Sequence, residues 1–154
     1  MSTPQCKSCE LVARRDAGAA PLWDSIYRTQ YWDVAHCYGT TLPGWLVLIV
    51  HRHIPSIDEL TEAEANELGQ LLRLTSAALK AVTGCVKTYV LQFAEHPEHP
   101  HVHFHVIPRM AGLPEDRRST NIFSYFGASE GEQVSEEEMN AIGFKVREKL
   151  QALQ

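Results

Sequence analysis

The segment His101-Val102-His103-Phe104-His105-Val106-Ile107 constrains this chain more than any other stretch. Imidazole and apolar side chains alternate with period two, the pattern of a β-strand, whose successive side chains point to opposite faces. His101, His103 and His105 are expected on one face, and Val102, Phe104 and Val106 on the other. The apolar face must pack on another element. The histidine face must be at least partly open, because three imidazoles make poor core material. Pro108 is expected to stop the strand.

Other segments supply partners for this strand. Trp45–Val50 is a continuous apolar run and reads as a central strand buried on both faces. Shorter β-type stretches lie near Ile26–Thr29 and Trp32–Cys37, and another strand runs roughly from Val86 to Phe93. Leu42-Pro43-Gly44 is turn chemistry. Thr61 and Glu64 form a capping box that opens a long helix. Leu68, Leu71, Leu72, Leu79 and Val82 recur along it at helical spacing, and Gly84 ends it. Ser135 and Glu138 open a terminal helix with Met139, Ile142, Val146, Leu150 and Leu153 on one face. Cys6-Lys7-Ser8-Cys9 opens the fold. Asp16–Pro21 and Met110–Gly131 read as loops. Strands joined by short turns rather than by helices imply an antiparallel sheet in an α+β domain.

The 154 residues suit one domain, with a core at about 6–109 and a C-terminal loop and helix at 110–154. A formal net charge of −5 without a Lys/Arg tract argues against nucleic-acid polymers and anionic membranes as partners. A single nucleotide needs only local positive or dipolar groups. The longest apolar run is far too short to span a bilayer. The polar start, Met1 to Cys6, lacks the apolar region of a secretory signal, so a cytoplasmic, reducing setting is expected. There the four cysteines, Cys6, Cys9, Cys37 and Cys85, read as thiols or metal ligands rather than disulfides.

Five of the eight histidines fall between His96 and His105. Three readings of the strand compete. A solvated polar face is the simplest. A three-histidine catalytic metal site is the second, but Cα atoms four residues apart on a flat strand are ~13 Å apart, whereas the nitrogens would have to converge to ~2 Å from one ion. A nucleophilic histidine flanked by two partners needs only hydrogen-bond spacing, and it is the preferred reading.

His-x-His-x-His followed by Pro108-Arg109 resembles the signature of the histidine-triad family. Gly44 to His53 is similar to the strand ending in Lys/Arg-His that precedes the long helix of that family, and Cys6-x-x-Cys9 resembles its zinc-containing bacterial branch. The resemblance covers about Cys6 to Arg109. It implies a five-stranded antiparallel sheet, a homodimer, and hydrolysis or transfer at the α-phosphorus of a nucleotide. It implies His103 as nucleophile, with His101 and His105 as its catalytic partners. His105 stands where the uridylyl-transferring branch carries Gln, which favours hydrolysis. The zinc-containing branch implies a structural zinc on Cys6, Cys9, His53 and His101. His51 is an alternative to His53, and Cys6 and Cys9 read alone are equally a redox pair or two free thiols. Bound as a zinc ligand, His101 would be unavailable for proton transfer.

The chain departs from the family in its nucleotide contacts. Cys37 occupies the position of the acid that binds ribose hydroxyls, and a thiol cannot replace a bidentate carboxylate. Glu98 falls where Ser or Thr would assist the leaving group. Gln92 is the nearest match to an Asn of relatives, and Arg109 is a candidate phosphate contact. Dinucleoside polyphosphates and nucleoside phosphoramidates both remain as substrates. A non-catalytic nucleotide-binding or interaction protein is the alternative to an enzyme. Trp23, Trp32 and Trp45 read first as core or interface residues and second as base-stacking platforms. Cys85 reads as packing, and His96 and His99 as loop residues.

Overall fold

Five antiparallel strands form one open sheet in the order β1-β2-β3-β5-β4, with β1 Tyr27–Arg28, β2 Trp32–His36, β3 Leu46–Val50, β4 Lys87–Leu91 and β5 His103–Arg109. A computed structural model describes residues 5–154 of the chain; the polar start read at Met1–Pro4 lies outside the described residues. Among the described residues, three α-helices complete the domain: α1 Lys7–Asp16, α2 Glu62–Thr83 and α3 Glu136–Ala152. The fold is the α+β arrangement expected from the short inter-strand turns.

Strand register separates two faces. His103 pairs with Ile49 and His105 with Val47, while Asp33 and Ala35 pair with Ile49 and Val47 across β2. These residues share the histidine face. Val34, Leu46, Leu48 and Val106 alternate onto the opposite face and meet Leu71, Ala78 and Leu79 of α2 and Val146 and Leu150 of α3 in the main core. Helix α2 has the anticipated ends: Thr61 accepts from the Glu64 N–H, Glu64 reaches back, and Gly84 closes the helix at φ 72°. Helix α3 packs on its own sheet, where Arg147 donates to the carbonyls of Ser25 and Ile26 at 2.6 and 2.7 Å.

Three expectations need correction. β5 begins at His103, so His101 sits on a bend before the strand and does not follow its alternation. β5 also continues through Pro108, which pairs with Thr88. β3 accompanies β5 only as far as Val106, so the missing N–H of Pro108 leaves no β3 ladder bond unmade. The adjoining turn needs glycine: Gly44 has φ +87°, and a Cβ there would lie 3.3 Å from the Pro108 ring. Finally, Lys7–Asp16 is a helix, whereas the sequence pattern predicts none there. It lies on the histidine face, with Val12 buried against Ala35 and Ile49. Among the described residues, no helix is long and apolar enough to cross a membrane.

Candidate active site and metal centre

Strand β5 presents His103 and His105 side by side, their ring centroids 5.0 Å apart. Nδ1 of His103 lies 2.7 Å from the His101 carbonyl oxygen. A carbonyl only accepts, so Nδ1 carries the proton and Nε2 keeps a free lone pair. Nδ1 of His105 lies 2.9 Å from the indole nitrogen of Trp45. Indole only donates, which places the proton of a neutral His105 on Nε2. Burial, reinforced by the neighbouring His103, pushes His105 down to about 3, so its ring is neutral at pH 7. Burial also lowers His103. The strand thus holds one acceptor nitrogen and one donor nitrogen next to each other.

Both rings line a cleft of about 790 Å³. Its floor is Ala35, Val47 and Ile49 of the sheet. Ser8, Leu11 and Arg15 of α1 bound one end, residues 93–99 form the rim, and Phe123 and Phe126 bound the other end. His99 is clamped between Ser8 Oγ at 2.8 Å and Tyr38 Oη at 2.7 Å. Arg15, with a side chain 1% exposed, pairs with Asp24 at 2.8 Å and Asp33 at 3.3 Å. Asp33 also meets Arg28 and His51; burial acts to raise its carboxyl, but the hydrogen bond with His51 and the Arg15 and Arg28 guanidiniums together keep it below the ordinary range. This network anchors α1 to β2 beside the cleft.

The proposed substrate contacts separate into two groups. Cys37 lines the cleft, where burial pushes its thiol up to about 12 and its Sγ faces the Tyr38 carbonyl at 3.6 Å. Glu98 is on the rim, but its carboxylate is turned to Lys7 at 2.9 Å, and that pairing holds it below the usual carboxylate range. Gln92 and Arg109 do not line the cleft. Arg109 is at the far end of β5 and donates to the Met110 carbonyl at 3.0 Å.

His101 serves a different cluster. Its Nε2 donates to the Val50 carbonyl at 2.6 Å, leaving Nδ1 as a lone pair. That atom lies 3.7 Å from Cys6 Sγ, 3.5 Å from Cys9 Sγ and 3.3 Å from His53 Nδ1, and Cys9 Sγ is 3.2 Å from His53 Nδ1. The four ligand atoms lie within 4.8 Å of one another. Donors at the ~2.0–2.3 Å bond lengths of a tetrahedral zinc stand about 3.3–3.8 Å apart, so two sulfurs and two nitrogens here have the spacing of one closed metal site. The Val50 carbonyl supplies the outer hydrogen bond that such a ligating histidine uses. His51 instead reaches Asp33 at 3.1 Å and is not part of the cluster.

Several site residues were not evident from the one-dimensional pattern. Arg15 and Ser8 are delivered by α1, a short and mostly polar helix with few apolar positions; its cysteine cap and the Arg14-Arg15 pair in its last turn are the available signals. His99 is an off-strand residue that only the rim conformation brings to Tyr38. Phe123 and Phe126 belong to the segment read as loop, which contains a 3-10 stretch at Ser119–Tyr125. Trp32 and Trp45 are fully buried, as core residues should be, and Cys85 is buried too.

The HIT-domain profile matches residues 24–112, more than half of the chain. No curated protein matches it by sequence. A hypothetical histidine triad nucleotide-binding protein from Sulfolobus tokodaii superposes with a TM-score of 0.70 at 16% identity, covering 94% of this chain and 93% of that one. A zinc-bound histidine triad family protein from Mycobacterium smegmatis gives 0.66 at 16% identity, over 96% and 94%. A histidine triad protein from Sinorhizobium meliloti gives 0.67 at 24% identity, over 81% and 87%. Profile, sheet order and the paired histidines of β5 agree, and the chain belongs to the HIT-domain, or histidine-triad, family.

Proposed function

We propose that this protein hydrolyses a nucleoside phosphate derivative at its α-phosphorus, with His103 as nucleophile. The observation that carries the reading is the pairing of a free Nε2 on His103 with a neutral, Nε2-protonated His105 on the floor of one cleft. Nε2 of His103 attacks phosphorus, and the bond to the leaving group breaks with its electron pair, which takes up a proton. The Nδ1–H of His103 stays bonded to the His101 carbonyl, so the positive charge of the nucleotidyl-histidine is held by a fixed acceptor. The Nε2–H of His105 faces the phosphate oxygens or the leaving atom, where it stabilises negative charge. Water then attacks phosphorus, releases the nucleoside monophosphate and a proton, and restores neutral His103.

Cys6, Cys9, His53 and His101 would hold zinc. With four protein ligands it would be a structural ion that ties the start of α1 to the segment two residues before the nucleophile. This use of His101 removes it from proton transfer and leaves its backbone carbonyl as its contribution to catalysis. The reading extends to a homodimer in a reducing, cytoplasmic setting, where Cys6 and Cys9 remain thiols when metal-free.

Quenching the protein with denaturant at alkaline pH, where a histidine N–P bond survives, during turnover of adenosine phosphoramidates and dinucleoside polyphosphates, followed by mass spectrometry, tests the mechanism. A nucleotidyl adduct on His103 is expected. Turnover without an adduct in a rapid-quench series, or unimpaired turnover by His103→Ala, refutes it. The neutral Cys37 on the cleft wall, in place of an acidic ribose partner, favours a second reading in which the chain binds nucleotides without hydrolysing them. Tight binding without turnover over the same panel distinguishes that case.

A further inference from the structure

Both ring nitrogens of His99 are engaged by hydroxyl groups, although the residue lies outside the His103–His105 pair. Nδ1 is 2.8 Å from Ser8 Oγ and Nε2 is 2.7 Å from Tyr38 Oη. The backbone fixes the turn that carries this ring. The His99 N–H donates to the His96 carbonyl at 2.9 Å, and the His101 N–H donates to the His99 carbonyl at 2.8 Å. The Lys7 N–H donates to the Glu98 carbonyl at 2.9 Å and ties the turn to α1. Burial gives the chain of side-chain bonds its direction. Ser8 is 4% exposed, and His99 is the one partner of its hydroxyl among the described residues. A hydroxyl that only accepted here would keep its own O–H buried and unpaired, which is the costlier arrangement. Ser8 therefore donates to Nδ1, the His99 Nε2–H donates to Tyr38 Oη, and the Tyr38 O–H is left to donate elsewhere. Tyr38 is 41% exposed and lines the cleft, so this donor is open to what the cleft holds. Successive hydrogen bonds of one sense polarise one another and strengthen the last donor.

A phosphoryl group bound over His103 needs such a donor. Among the described residues that line the cleft, Arg15 is the only Lys or Arg, and Asp24 and Asp33 occupy its guanidinium. Neutral donors must meet the phosphoryl charge instead. In an in-line attack by His103 Nε2, nucleophile and leaving group take the two apical positions, and the other oxygens spread between them. The His105 ring flanks His103 on its C-terminal side along β5, with centroids 5.0 Å apart. The His99 ring flanks it on the other side, before the strand, at 6.3 Å. The two flanks can therefore address different oxygens.

We infer that Tyr38 is a further catalytic residue, whose O–H donates a hydrogen bond to a phosphoryl oxygen on the flank of His103 away from His105, and that His99 and Ser8 are positioning residues that aim it. The proton stays on Tyr38 throughout; the hydroxyl stabilises charge that grows on the oxygen in the transition state. This rests on the hydrolase reading for the reaction it serves, while the contact itself is made to any nucleotide phosphate bound over His103.

Tyr38→Phe deletes the hydroxyl and keeps the ring that meets Trp23 edge-on at 6.3 Å. It is expected to lower kcat about ten-fold and, in calorimetry, to weaken AMP and UMP alike by about five-fold. Ser8→Ala, with its metal content checked by elemental analysis, frees His99 to take either tautomer and should lower kcat as well. In the Tyr38→Phe background that effect should vanish, because the hydroxyl it aims is gone; a merely structural role for Ser8 and His99 would leave it undiminished. Long-range ¹H–¹⁵N spectra of the wild type should show a proton on Nε2 of His99. The inference is overturned by monophosphate affinities that Tyr38→Phe leaves unchanged, by a loss confined to one base, by a wild type that binds neither monophosphate, by turnover insensitive to Tyr38→Phe, by an undiminished Ser8→Ala effect in the double variant, or by a His99 protonated on Nδ1 alone. A wild type that binds both monophosphates through Tyr38 but turns over no phosphoramidate or dinucleoside polyphosphate keeps the Tyr38 contact and refutes the hydrolase reading instead.

Discussion

Replacing Trp45 by Phe isolates the role of one hydrogen bond. The indole N–H donates to Nδ1 of His105 at 2.9 Å, both groups are buried, and the ring of His105 is neutral. The substitution keeps an aromatic ring against Phe126, whose centroid is 4.7 Å away, but deletes the donor. A neutral hydrogen bond of this kind contributes about 1 kcal/mol net, and an acceptor left buried and unpaired costs about 1–3 kcal/mol. Without the indole, the two tautomers of His105 approach parity, and the Nε2–H that faces the reacting phosphate is no longer assured. A loss of about 1–2 kcal/mol in transition-state stabilisation corresponds to a roughly 5- to 30-fold fall in kcat/KM. Losing the five-membered ring also leaves a small void, which costs about 1–3 kcal/mol of stability. The rate of Trp45→Phe is measured at a temperature where it remains folded, and long-range ¹H–¹⁵N spectra report the His105 tautomer. A mixed or Nδ1-protonated ring accompanied by the rate loss is expected. A His105 that stays Nε2-protonated, or a rate within two-fold of wild type, refutes the tautomer argument.

His103→Ala is expected to remove at least 10³-fold of turnover, since nucleophile loss is not replaced by a neighbour, while circular dichroism and melting temperature stay near wild type because the residue is only half-buried. Elemental analysis of untagged protein should find about one zinc per chain. Cys6→Ser with Cys9→Ser should lose both the ion and several kcal/mol of stability, and a fully folded metal-free wild type would exclude the site. His36 is buried with both nitrogens committed, Nδ1 donating to the Cys37 carbonyl and Nε2 accepting from the Gly44 N–H, and burial pushes it down to about 4. The unfolded chain, with a histidine near 6.5, binds this proton first, so stability is fully present above pH 6.5 and falls as the pH drops toward 4. The loss at pH 5 is about 2 kcal/mol for this residue, and denaturant titrations of His36→Gln should show a correspondingly shallower pH dependence. Light scattering at micromolar concentration should give a dimer mass, since β4 is an edge strand with Val90 exposed; a monomer would contradict it.

Alternation and capping made much of this protein legible in one dimension. Period-two spacing from His103 to Ile107 specifies which side chains share a face, and the Thr61–Glu64 box with Gly84 defines α2, because both are local constraints on backbone geometry. The pairing of Cys6 and Cys9 with two distant histidines followed from family resemblance, and the fold brings the four donors to ligand spacing across ninety-five residues of chain between Cys6 and His101. Other features depend on tertiary contacts with no local signature. Helix α1 is short and mostly polar, and it is fastened by Arg15 to two aspartates of other elements. The bend before β5 turns His101 away from the strand face and toward the cysteines, which alternation alone cannot anticipate. Trp45 shares the apolar run of β3 with four other buried residues, and only the register of β3 with β5 sets its indole against His105. Phe93 and Phe123 are thirty residues apart and meet because the C-terminal segment folds back onto Thr40 and Thr41. Sequence thus determined the faces and ends of the elements, whose causes lie within a few residues, while packing between distant segments decided the protonation state, the metal cluster and the shape of the cleft.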